Sequence, residues 1–196
     1  MRTYSTMDDF DFNGKTALVR VDFNSPLDPK TKKILDDSRI RAHAPTIREL
    51  SGKGAKMVIL AHQGRPGDPD FSTLEEHAKI LGQALKNVPV KYVNDIFGEK
   101  AKSSVKQLKK GEVLILENVR VFPGETDKKT VEEHAKSDLV TNLAPLMDVF
   151  VNDAFAAAHR AHASTVGFTP VLPTVAGRLM EKELEALERV TKATAR

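Results

Sequence analysis

The 196-residue chain contains no cysteine, no tryptophan and only two tyrosines. Without cysteine there is no disulfide framework, no thiolate nucleophile and no thiolate metal ligand. With so few flat aromatic rings, the chain is a poor platform for stacking nucleic-acid bases. It has no run of about 18 apolar residues, so nothing reads as a membrane-spanning helix. The opening segment MRTYSTMDDFDFNG is polar and acidic, unlike a secretory signal. The formal net charge is only +3, too small an excess to argue for nucleic acid, and cationic runs such as Lys102–Lys110 read as solvated helix faces. These absences leave the cytoplasm as the default location, with neither nucleic acid nor membrane expected as a partner.

What is present is ordinary for a packed domain. Hydrophobic residues make up 40% and charged residues 29%, enough apolar surface to bury a core at this length. Short apolar runs alternate with helical patterns. Residues 16–22, 55–62, 89–95, 112–118 and 148–153 are rich in Val, Ile and Leu without strict alternation, the pattern of strands covered on both faces and therefore parallel. Between them, residues 38–51 place Ile40, Ala44, Ile47 and Leu50 on one face, with Pro45 either kinking the helix or starting its main part. Residues 74–86 follow Ser72 and Thr73, with Glu76 three positions after Thr73 as in a capping box. Residues 99–109 and 128–145 read as two further helices. A last one near 177–192 repeats Leu179, Leu184, Leu187 and Val190 on a broad face. Such alternation implies a three-layer α/β/α Rossmann-like domain with a parallel sheet of five or six strands.

In an open parallel sheet, ligands bind outside the carboxyl ends of the strands. The residues that follow each apolar run are therefore the candidates. They are Asp22 and Asn24 after the first, His62, Gln63, Gly64 and Arg65 after the second, and Asn118 and Arg120 after the fourth. After the fifth come Asn152, Asp153, His159, Arg160 and His162, and Arg39 opens the first helix. Taken singly, an arginine here is more often a surface ion-pair partner, and Asp22 or Asn24 a turn residue. Taken together, four arginines and up to three histidines fall on one rim, where like charges repel and folding does not require them. An anion would relieve that repulsion, and the planar guanidinium fork suits phosphate and carboxylate. The segment Ser51–Lys56 lacks the spacing of a phosphate-cradling or dinucleotide loop and reads as a helix stop. No set of His, Asp and Glu has convincing metal spacing, and no serine sits in a nucleophile elbow.

The segments RVDFNSP (Arg20–Pro26), DDSRI (Asp36–Ile40), AHQGRP (Ala61–Pro66), LENVR (Leu116–Arg120), NDAF with AHRAHAS (Asn152–Ser164) and AGRLMEKELEAL (Ala176–Leu187) resemble, in order, the motifs of phosphoglycerate kinases. The resemblance covers essentially the whole chain. Gln63 and the pair Ala156–Ala157 depart from the commonest bacterial and eukaryotic forms and look more like archaeal members. The family moves a phosphoryl group between 1,3-bisphosphoglycerate and ADP, and the resemblance implies the N-terminal, 3-phosphoglycerate-binding half. His62, Arg65, Arg120 and Arg160 are then expected on the non-transferring phosphate, and Asp22 and Asn24 on the glycerate hydroxyl and carboxyl end. Arg39 is expected at the carboxylate and the moving phosphoryl, the one catalytic assignment. The resemblance further implies a substrate domain at 1–176 and an interdomain-type helix at 177–196. No cofactor is expected in this chain. Mg-ATP or Mg-ADP, and the nucleotide-binding half that holds it, would lie outside, so the chain alone is expected to be inactive. The alternative from a different class is a non-enzymatic anion- or protein-binding α/β module.

Overall fold

The computed structural model describes residues 3–194. Residues 1, 2, 195 and 196, which belong to the two expected segments 1–176 and 177–196, lie outside the described residues. Six strands form one sheet: β1 Thr16–Arg20, β2 Lys56–Leu60, β3 Val90–Tyr92, β4 Val113–Ile115, β5 Val149–Asn152 and β6 Thr174–Ala176. They lie in the order β3-β4-β2-β1-β5-β6 and every pair is parallel. The helices are α1 Ser38–Ala42, α2 Ala44–Gly52, α3 Glu75–Leu85, α4 Glu99–Lys106, α5 Val131–His134, α6 Asp138–Leu143, α7 Ala163–Val166 and α8 Arg178–Thr194. No helix among the described residues is long and apolar enough to cross a membrane.

The sheet is buried on both faces, and each face has its own core. Ala17, Val19, Met57 and Ile59 pack with Ile40, Ile47, Leu50 and Leu81 on the side of α1, α2 and α3. Leu18, Val58 and Phe150 point the other way, onto Ala101, Val105, Leu139, Leu143 and Phe168 on the side of α4, α6 and α7. Because side chains alternate along a strand, burial of both sets accounts for the unbroken apolar runs. The three-layer α/β/α expectation therefore holds.

Several boundaries differ from the sequence reading, each for a local reason. Pro45 sits in the first turn of α2, where an amide hydrogen has no intrahelical partner, so it starts a helix rather than kinking one. Neither Ser72 nor Thr73 caps α3; the N-cap is Leu74 without a side-chain bond, and its amide donates to Glu117 Oε1 at 3.1 Å. The single helix expected over 128–145 is broken. Thr130 and Glu133 form a capping box for the one-turn α5, Ser137 is extended before α6, and Pro145 lies in a following 3-10 turn. The short β6 escaped notice because Thr174–Ala176 is too brief to show a period. At the other edge, β3 is half-exposed rather than covered on both faces.

Helix α8 is tied down at its start. Arg178 donates to Glu49 Oε2 at 2.7 Å and Oε1 at 2.6 Å, to Asp8 Oδ2 at 3.0 Å and to Glu181 Oε2 at 2.7 Å. The Arg178 guanidinium holds the Glu49 carboxyl down to about 2, against the partial desolvation that opposes it. Further along, Leu187 and Val190 are exposed. Arg178→Ala is expected to lower unfolding free energy by about 1–2 kcal/mol, the worth of a few charge-assisted bonds at a partly solvated site. Denaturant melts check this, and carbon-detected titration should show the Glu49 pKa returning toward 4.5. An unchanged Glu49 titration would show that Arg178 does not hold it.

Candidate anion-binding site

Strand register brings the candidates together. Arg20 is level with Leu60 of β2 and Asn152 of β5, and Ile59 is level with Ile115 of β4. The residues two or three positions beyond, Asp22, His62 and Asn118, therefore emerge at one height at the carboxyl rim. Two clefts open there. One, of about 120 Å³, is lined by Asn24, His62, Gly64, Arg65, Asp68, Asp70, Arg120 and Arg160. The other, of about 180 Å³, is lined by Asp22, Asn24, Arg39, His62, Ala156, Ala157 and Arg160. They share Asn24, His62 and Arg160, so the seven residues given a role by the family resemblance all line one composite site. His159 and His162 are absent from both linings. His159 Nε2 accepts from Arg160 Nε at 3.2 Å, while the His162 amide donates to Thr165 Oγ1 at 3.0 Å at the start of α7. A separate apolar cleft of about 270 Å³ lies between Phe97, Val121 and Phe122, but it contains no cation and does not suit an anion. Ser51–Lys56 joins α2 to β2 at the amino end of the sheet, away from both clefts.

Loop geometry is fixed by a small set of buried polar groups. The loop after β2 turns at Gly64, with φ of +62°, and a Cβ there would meet the Asp70 backbone at 2.6 Å. Gly64 N donates to Asn24 Oδ1 at 2.8 Å, and the Arg120 guanidinium donates to the Gly64 carbonyl. Asn118, fully buried, donates to Gln63 O at 2.7 Å and Ser72 O at 2.8 Å and accepts from Arg120 N at 3.1 Å. Gln63 donates to Ser25 O at 3.0 Å and accepts from Ser25 N at 2.9 Å. Asp22 accepts from Asn24 N at 3.1 Å and from Arg39 Nη1 at 2.8 Å, so it is a turn residue and also the anchor of Arg39.

Sequence reasoning overlooked three groups. Arg20 is 1% exposed and lies beneath His62. Glu125, also 1% exposed, accepts from Ser164 N at 2.9 Å and Ser164 Oγ at 2.6 Å. His43 Nε2 accepts from the Asp22 amide at 3.0 Å, which leaves Nδ1 to donate to Asp153 Oδ2 at 2.7 Å. The other Asp153 oxygen accepts from Leu179 N at 2.9 Å and Met180 N at 3.3 Å, and Gly177 leaves room for it where any Cβ would overlap the carboxylate. An Asp or Glu beyond an apolar strand gives no hint of such a partner, and His43 looks like an ordinary helical residue.

The electrostatics follow from crowding. Burial, then Arg160 and Arg65, make it harder for Arg120 to hold its charge. Asp68 and Asp70 line the same cleft and offset part of the excess. Burial foremost, then Arg20, Arg120 and Arg160, push His62 from 6.5 to about 2. His162 is pushed to about 4, by burial and then Arg120 and Arg160. His62 is therefore a neutral imidazole at physiological pH.

A phosphoglycerate kinase family profile matches residues 7–196. The phosphoglycerate kinase of Methanobacterium bryantii is 55% identical over 184 residues, covering 94% of this chain and 45% of that protein. The chain belongs to the phosphoglycerate kinase family. The phosphoglycerate kinase of Methanothermobacter thermautotrophicus is also 55% identical, covering 94% of this chain and 45% of its own length. The chain thus spans less than half of these family members. The crystal structure of phosphoglycerate kinase from Pyrococcus horikoshii OT3 matches with a TM-score of 0.90 at 48% identity, over 94% of this chain and 45% of that one. That from Coxiella burnetii matches with a TM-score of 0.77 at 33% identity, over 95% and 44%. The higher identity to the archaeal than to the bacterial structure agrees with the archaeal-like reading of the motifs.

Two outcomes test the geometry. His62, His77 (pushed by burial to about 4) and His162 all have native pKa values below their unfolded 6.5. The unfolded chain therefore binds more protons below 6.5, and stability falls as pH drops from 6.5 toward 4. Each histidine contributes a slope of up to about 1.4 kcal/mol per pH unit. Glu125, pushed up by burial, works in the opposite sense above its unfolded pKa. Urea midpoints at pH 7, 6 and 5 check the sign, and a rising midpoint on acidification would refute it. Gly64→Ala is expected to cost about 1–3 kcal/mol, since it forces both a left-handed backbone and a clash with Asp70. Thermal melts measure the loss.

Proposed function

We propose that the composite site holds 3-phosphoglycerate, or 1,3-bisphosphoglycerate, as the acceptor half of phosphoglycerate kinase. The observation that carries this reading is the convergence of seven residues from five separated segments on two clefts that share Asn24, His62 and Arg160. The phosphate brings about two negative charges, and the carboxylate adds another. In the cleft of about 120 Å³, Arg65, Arg120 and Arg160 would meet the non-transferring phosphate with charge-assisted bonds, and His62 would add a neutral donor. Asp22 and Asn24 would orient the hydroxyl and the carboxyl end. Arg39, half-exposed and steadied by Asp22 at 2.8 Å, would face the carboxylate and remain cationic while charge develops on the moving phosphoryl. Such transfer needs positioning and charge stabilisation more than covalent help, and fixed cations supply both.

Nucleotide and its magnesium are assigned to the half of the enzyme that this chain does not span. The exposed Leu187 and Val190 face of α8 would meet that half. On this reading residues 1–176 form the substrate domain, 177–196 the junction helix, and the enzyme works in the cytoplasm.

Titration of this chain with 3-phosphoglycerate, followed residue by residue by NMR, is the test. Shifts should concentrate at Asn24, His62, Gly64, Arg65, Arg120 and Arg160, and affinity should fall with salt. Arg65→Ala with Arg120→Ala should weaken binding at least tenfold, since each charge-assisted bond contributes on the order of 1.5–3 kcal/mol. ATP alone should leave these resonances unmoved, and the chain should not turn over ATP with 3-phosphoglycerate. Tight ATP binding with millimolar phosphoglycerate ignored would overturn the reading.

A further inference from the structure

Arg20, at the last position of β1, is set beneath the site. It is 1% exposed, and it is not among the residues that line either cleft. Its Nε donates to Ser164 Oγ at 2.8 Å, one Nη donates to the Val21 carbonyl, and the other lies 3.2 Å from His62 Nδ1. Ser164 Oγ in turn donates to Glu125 Oε1 at 2.6 Å, while its amide donates to Glu125 Oε2 at 2.9 Å. A buried guanidinium is thus held from three sides, with a buried carboxylate as its counter-charge through one hydroxyl.

A guanidinium has donors only. The bond to His62 therefore requires that Nδ1 be the unprotonated nitrogen, and in a neutral imidazole the proton then sits on Nε2. We propose that Arg20, held by Ser164 and Glu125, is a positioning residue that locks His62 as the Nε2–H tautomer, so that His62 meets an anion as a neutral hydrogen-bond donor. The opposite tautomer would aim a lone pair at a phosphate oxygen and repel it. An imidazolium would set a proton on Nδ1 against the guanidinium. The surroundings leave little room for that cation. Arg120, Arg160 and His162 face the ring from the turns after β4 and before α7, and Arg20 from β1. The acids near it are engaged elsewhere: Asp22 with Arg39 and Glu125 with Ser164, while Asp68 and Asp70 line the cleft of about 120 Å³. The lock deepens the phosphoglycerate-binding reading given above, and its use for that ligand rests on it.

Nitrogen-15 spectra of the imidazoles in this chain, without ligand, test the lock directly. His62 should show a pyridine-like Nδ1 and a pyrrole-like Nε2, unchanged from pH 5.5 to 8. An Nδ1–H tautomer, or a titration within that range, would overturn the proposal. In Arg20→Met, His62 should lose the single tautomer and begin to titrate, with 3-phosphoglycerate affinity down about tenfold for one lost oriented donor. Arg20→Lys, which can still donate to Nδ1, should restore the wild-type His62 signature. A folded Arg20→Met with an unaltered His62 signature would sink the idea. Should that variant not fold, Ser164→Ala serves instead: it frees Arg20 Nε, and a mixture of His62 tautomers is expected, whereas an unchanged signature counts against the lock. A wild-type chain that shows the expected tautomer yet ignores 3-phosphoglycerate would support the lock and remove only the assigned substrate.

Discussion

A positive charge carried into the middle of the molecule sets the terms for everything above it. Arg20 is buried at the end of β1, and desolvation works against its charged form while Glu125 and Asp22 favour it. A buried charge is tolerated when its hydrogen bonds are satisfied and a counter-charge is near. Ser164 and Glu125 meet those conditions, and they come from segments far along the chain. The first turn of α7, the turn after β4 and the end of β1 are thereby held in one arrangement. His62, Arg120 and Arg160 stand on that arrangement, so the spacing of the cations at the rim is inherited from the group below them.

A second buried set ties the same rim to the last helix. His43 accepts from the Asp22 amide and donates to Asp153, and Asp153 receives two amides at the start of α8. All of its polar members are shielded from solvent, with His43 1% and Asp153 0% exposed. Asp22, in turn, steadies Arg39. The turn that presents Arg39 and the helix that leaves the domain therefore share one chain of hydrogen bonds, while Arg178 fastens the same helix to α2 and the N-terminal turn.

Much of this is legible in the sequence. The apolar runs marked five of the six strands because strands covered on both faces are mostly apolar, while at the half-exposed β3 Val90 and Tyr92 flank an exposed Lys91. The rule that ligands sit beyond the carboxyl ends of parallel strands placed Asp22, Asn24, His62, Arg65, Arg120 and Arg160 on one edge, and all of them line the two clefts. Gly64 was legible as a residue of the AHQGRP motif after the second strand, though not that a Cβ there would strike Asp70. Helix boundaries were read less well over 128–145, where Ser137 turns the backbone outward between two short helices, and at α3, where Glu117, 43 positions away, takes the place of the local caps Ser72 and Thr73.

Periodicity was enough to give the three-layer arrangement and the parallel sheet, and the residues that come next after each strand were enough to gather the cations at its rim. Only the tertiary structure decided the protonation of His62, the partners of Arg20 and the bond from His43 to Asp153. Those depend on groups that meet across 42, 144 and 110 positions, and on water excluded from between them. Desolvation belongs to the packed neighbourhood and not to any residue, so no local pattern in the chain records it.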